Sequence, residues 1–209
     1  MVEVSVVIVC VMLLVVLVLP MFAKATKAKS TPNWSRCVWH LKNVGLAAWI
    51  FATDNEGLYP WQLSMTNGGT KDLLLAPWHL APHFQALSNE LSTPKIVLCP
   101  EDQRRQATNF ATLTDANVSY FIGLDATGES PQSILSGDRH LTVNGADARP
   151  GLLVLTATNQ LGYSRQLNPQ GGNLLFGDGS VQRATPAQLS GYLNSALGAT
   201  NANLRLLIP

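Results

Sequence analysis

From Val4 to Ala23 the chain runs VSVVIVCVMLLVVLVLPMFA, twenty residues without a charge. At 1.5 Å rise per residue, such a run makes about 30 Å of helix, the thickness of a bilayer core. A cleaved secretory signal is the competing reading, but it would start with basic residues, hold a shorter apolar core and end at small residues. Here the start is Met-Val-Glu, the run is long and lysines follow it directly. A retained transmembrane helix through Val4, Leu13, Leu14 and Pro20 is therefore expected, with Pro20 kinking it. Glu3 is the sole charge of the first 23 residues. A carboxylate at the edge of an apolar helix calls for a partner, or else sits in the headgroup layer.

Around this segment the composition is spare. The chain has 209 residues, enough for one ordinary domain plus an anchor. Its charged share, 13%, is about half the usual one. A formal charge of +1 argues against a nucleic-acid partner. Lys24, Lys27, Lys29, Arg36 and Lys42 follow the apolar run with no acid among them. The positive-inside rule alone would place them, and all that follows, in the cytoplasm unless something basic precedes Met1. Cys10 lies in the apolar run as a small hydrophobe. That leaves Cys37 and Cys99 as a candidate pair, implying an oxidising compartment, with two unrelated buried thiols as the alternative.

The helix is expected to continue past the membrane. Ser30-Thr31-Pro32 reads as a break and restart, with Thr31 as N-cap and Pro32 at the first helical position. Trp34, Val38, Leu41, Gly45, Ala48 and Ala52 then form one apolar face, and Gly57 ends the helix. Pro82 to Leu91 reads as a short helix. Lys95 to Cys99, Val118 to Leu124 and Leu152 to Leu155 read as strands. Asn173 to Phe176 and Ser180 to Arg183 flank Gly177-Asp178-Gly179, a hairpin signal, and Thr185-Pro186 opens a last helix that stops near Gly198. The pattern predicts an α+β fold: a long N-terminal helix, membrane-spanning in its first half, packed on a small antiparallel sheet. Residues 1–23 form the membrane half, 24–57 the amphipathic half and 58–209 the α+β domain.

The sequence assembles no catalytic set. His79 and His83 have i, i+4 spacing, but Pro82 lies between them, and His40 and His140 join no metal pattern. Asp178 reads as a turn residue, with calcium ligation as the alternative. Asp125, Asp138 and Asp147 are scattered. Trp34, Trp39, Trp49, Trp61 and Trp78 read as core or interface anchors. Neither catalytic residue, cofactor nor metal is expected.

Several segments together resemble a type IV pilin-like protein of the type II secretion pseudopilin group, closest to the Verrucomicrobia and Planctomycetes type. Glu3 precedes Leu19-Pro20 and the stretch Ala23 to Lys29. Cys37 to Ala47 is similar to that family's Cys-x-Asn-Asn-Leu-Lys-Gln-Ile-Gly-Leu-Ala segment, and Asp54 to Pro60 to its Asp-Asn-x-Gly-x-x-Pro. Leu98 to Asp102 resembles a Cys-Pro-x-Asp element, and Asn173 to Gln182 the C-terminal Asp-Gly hairpin. Two departures stand out: the family's basic leader, cut before a residue that becomes N-methylated, is not seen ahead of Glu3, and Asn168 stands where many relatives have His.

The resemblance implies a non-enzymatic subunit of a secretion or pilus-like filament. It would be anchored in the bacterial inner membrane by a single pass, with its C-terminal domain in the periplasm or on an extracellular filament. Glu3 would drive assembly, and the partners would be other pilin or pseudopilin subunits, secretion platform proteins and membrane lipid. A membrane-tethered periplasmic binding domain that does not polymerise is the alternative.

Overall fold

A computed structural model describes residues 4–14, 33–75, 77–164, 171–200 and 203–209. The chain divides into two units, Met1–Pro32 and Asn33–Pro209. In the first unit, residues 4–14 form a helix, α1, and every one of its residues is exposed. Glu3, Pro20, Thr31 and Asn168 lie outside the described residues.

The expected long N-terminal helix is corrected here. Helix α2, Asn33–Asp54, belongs to the second unit and begins one residue after Pro32. A proline ring gives no N–H to an incoming helix and disfavours helical geometry in the residue before it. Among the described residues, no helix is long and apolar enough to cross a membrane. The expected placement as a single-pass inner-membrane protein is corrected by the same finding.

The second unit is α+β. Six strands form an antiparallel sheet in the order β5-β9-β1-β2-β7-β8, with β1 Tyr120–Gly123, β2 Ile134–Asp138, β5 Gly151–Leu155, β7 Gly172–Phe176, β8 Val181–Ala184 and β9 Leu204–Ile208. A three-stranded sheet, β4-β3-β6, joins β3 Leu141–Val143, β4 Ala146–Asp147 and β6 Leu161–Tyr163. Alternate side chains of the large sheet enter two cores. Tyr120, Ile122, Leu135, Leu175 and Leu207 pack with α2. Phe121, Ile134, Leu174, Leu206 and Ile208 pack with α5, Pro186–Thr200. Helices thus cover the central strands on both faces, which removes the polar-apolar alternation that marks a one-sided strand.

On α2, Leu41, Gly45, Ala48 and Ala52 are buried, joined by Cys37, Val44, Ala47 and Phe51. Val38 is half-buried, and the side chain of Trp34 is outside the described part. The helix ends as Gly57, at φ 81°, donates its N–H to Ala52 O at 2.8 Å. That left-handed geometry suits a residue without Cβ.

Two local expectations change. Pro82 to Leu91 forms two short helices, α3 Ala81–Gln85 and α4 Ser88–Leu91. The expected strand at Lys95 to Cys99 is a helical turn, Pro94–Val97, capped by the Thr93 hydroxyl accepting from the Lys95 N–H. Pro94 presets the turn's φ.

Candidate assembly face and polar cavity

Helix α2 has two apolar sides. One is the buried face just described. The other carries Trp39, Leu46, Trp49 and Ile50, at 56%, 54%, 58% and 39% exposure. Steps of seven, three and one residues keep these four on one stripe. Polar neighbours on the stripe turn back on the helix: Asn43 Nδ2 donates to Trp39 O at 2.7 Å, and the Thr53 hydroxyl to Trp49 O at 2.9 Å. Open grooves border Trp49. One, of about 250 Å³, includes Lys42, Leu46, Leu135 and the Gly177–Gly179 turn; the other, of about 370 Å³, includes Ala52, Leu58 and Gly128. Tyr59 borders both, and its buried hydroxyl has no hydrogen-bond partner.

Helix α1 is apolar on all sides. Val4, Leu13 and Leu14 are 64%, 57% and 60% exposed, and Cys10 is a free, exposed thiol. A helix apolar all round belongs in an apolar environment.

Cys37 and Cys99 are bonded, with Cα atoms 5.0 Å apart. The bridge ties α2 to the segment before β1, and His40 Nδ1 donates to Leu98 O at 2.7 Å beside it. The four histidines stay apart. His79 meets Asp115 at 3.4 Å, and His83 is buried with its Nδ1 2.6 Å from the Thr70 hydroxyl. Burial pushes His83 down to about 4, against a smaller opposing pull from Asp115. Among the described residues, no three His, Cys, Asp or Glu side chains come together as a metal-ligating group. Asp178 accepts from the Ser180 N–H at 2.8 Å in the β7–β8 turn, Asp125 pairs with Arg205, and Asp147 lies on exposed β4.

The remaining carboxylate, Asp138, ends β2 next to a second feature. Asp102 and Arg139 form a bidentate pair at 2.8 and 3.1 Å, and the Ser119 hydroxyl donates to Asp102 at 2.8 Å. Burial works to raise the Asp102 carboxyl, but Arg139 and Ser119 hold it below the usual range. Close by, Asp138 Oδ2 accepts from the Asn173 backbone N–H at 2.7 Å and from Asn173 Nδ2 at 2.9 Å. Asp138, His140, Tyr163 and Asn173 line a cavity of about 20 Å³ that also touches the disulfide. Burial drives the Asp138 carboxyl up to about 6, with Asn173 opposing and Glu101 and Asp102 adding to the rise. Burial likewise lowers His140 to about 4, helped by Arg139.

Neither feature follows from local spacing. The stripe lies on the turns between the positions read as the buried face, and the cavity gathers residues from β2, β6 and β7. The one local signal for the cavity is a carboxylate closing the apolar run Ile134 to Gly137. No protein family, no curated protein and no solved structure matches the chain.

Proposed function

We propose that this chain is a structural subunit of a pilin-like filament, acting by packing against further copies or related subunits rather than by catalysis. The observation that carries the reading is the exposed stripe Trp39, Leu46, Trp49 and Ile50 on α2. Two tryptophans more than half exposed on one helix face are what an interface core uses, since rigid aromatic side chains dominate binding energy. The fully exposed apolar α1 supports the same reading, because two helical surfaces of one chain ask for apolar cover. The resemblance of Cys37 to Ala47 and Asp54 to Pro60 to pilin-like subunits points the same way. In this reading Glu3 pairs with a positive group of the neighbouring subunit, and the pair selects the register of adjacent copies.

The test is cross-linking and electron microscopy of sheared filaments from cells that make the wild type or Glu3→Leu together with an assembly machinery. The variant should fold as the wild type does yet fail to enter filaments. Normal incorporation of Glu3→Leu would overturn the role of Glu3, and the absence of any filament from wild type would overturn the assembly reading.

A further inference from the structure

Of the eight buried side-chain atoms without a hydrogen-bond partner among the described residues, four belong to the cavity beside the disulfide. They are Asp138 Oδ1, His140 Nε2, Tyr163 OH and Asn173 Oδ1. Buried polar atoms are nearly always paired, so four on one cavity mark a missing partner common to them. The cavity, about 20 Å³, has room for a single water-sized particle.

Charge narrows the identity of that particle. Asp138 Oδ1 is buried without a partner, and the other oxygen of the carboxyl receives neutral donors only. The nearby cations are engaged elsewhere: Arg139 on Asp102, and Arg104 on the carbonyl oxygens of Asp115, Val118 and Pro209. Glu101, also on the cavity, adds negative charge. A carboxylate in the interior keeps its charge only beside a positive partner and otherwise takes up a proton. We infer that the cavity of Asp138, His140, Tyr163 and Asn173 binds one divalent cation, with the Asp138 carboxylate as its anionic ligand. A carboxylate oxygen, an amide oxygen, a phenol oxygen and a neutral imidazole nitrogen suit zinc or manganese better than the all-oxygen preference of calcium or magnesium. Two of the four ligands are Asn and Tyr, so the set escapes any pattern built on clustered His, Cys, Asp and Glu.

The experiment strips the full chain with a chelator, then titrates zinc chloride and manganese chloride, with calcium and magnesium chlorides alongside. Calorimetry counts the ions, and thermal melting reads their effect on the fold. The expected result is one zinc or manganese ion per chain, with Tm higher by roughly 5–10 °C at a hundredfold excess over Kd. His140→Ala, at the half-buried rim, should weaken binding at least about tenfold while leaving the metal-free Tm close to wild type. Asp138→Asn should abolish binding, and His79→Ala, far along the chain, should leave it unchanged. Binding that survives Asp138→Asn and His140→Ala would overturn the inference, as would no uptake at millimolar metal. A crystal structure grown with metal that shows only a water bonded to the four atoms would overturn it too. The readout is ion uptake by each chain, so it stands or falls separately from filament assembly.

Discussion

The exposed stripe of α2 and the cavity at the end of β2 leave opposite kinds of chemistry without a partner. On the stripe, Trp39, Leu46 and Trp49 keep more than half of their surface in water although they are apolar. At the cavity, Asp138 Oδ1, Tyr163 OH and Asn173 Oδ1 are shut away from water although they are polar. Apolar surface in water is tolerable in a lone chain and favours association, because covering it returns about 25 cal/mol per Å². Polar groups in the interior are not tolerable in that way: each lost partner penalises the folded state itself. The contrast separates two kinds of consequence. Removing the partner of a buried charge near the cavity should act on folding, and changes on the stripe should act on association and leave folding almost untouched.

The largest expected effect is at Arg139. Arg139→Met would leave Asp102, with a side chain only 1% exposed, as an unpaired buried charge. The loss should be about 3–5 kcal/mol, read by urea denaturation at pH 7. A loss below about 1 kcal/mol would mean that water reaches Asp102, and the contrast would weaken. Next comes the disulfide, which spans a sequence separation of 62. The double change Cys37→Ser with Cys99→Ser should lower stability by about 3–4 kcal/mol through the unfolded chain, measured by the same unfolding curve.

Acid sharpens the comparison at a third place. His83 holds its proton less readily in the fold, at about 4, than the ordinary value of 6.5. The unfolded chain therefore takes up the proton first as pH falls. The neutral buried ring is unpenalised above about pH 6.5, and stability is lost progressively toward pH 4, by about 3 kcal/mol. His83→Phe should flatten that part of the pH–stability profile, measured by denaturation at successive pH values. An unchanged slope would place the acid sensitivity elsewhere.

The legibility of these features in the sequence follows the range of the interactions behind them. The β7–β8 hairpin was readable from Gly177-Asp178-Gly179, because Asp178 and a glycine at φ 78° make the turn within a few residues. The last helix was readable from Thr185-Pro186, where Thr185 and Gln188 cap each other. Strands β2 and β9 escaped notice because sheet faces covered on both sides show no alternation, as in Leu204 to Ile208. The apolar run from Val4 and α2 read as one long helix because both carry apolar residues at helical spacing, and spacing alone does not show that the chain divides into two units between Pro32 and Asn33. The cavity was invisible because only the sheet pairing brings Asp138 near Asn173, 35 residues on.

The smallest expected effect on folding is on the stripe, and it carries the central claim. Trp49→Glu places a charge on the exposed face and should change unfolding free energy by no more than about 0.5 kcal/mol. Its effect on association should be much larger, since an aromatic anchor at an interface commonly contributes 2 kcal/mol or more, roughly thirtyfold in affinity. Sedimentation velocity of the full chain against concentration, wild type beside Trp49→Glu, measures this directly. Wild type should grow with concentration to species larger than one chain, with Trp49→Glu staying monomeric at concentrations at least about tenfold higher. A wild type that remains monomeric throughout, or a Trp49→Glu that associates equally well, would contradict it.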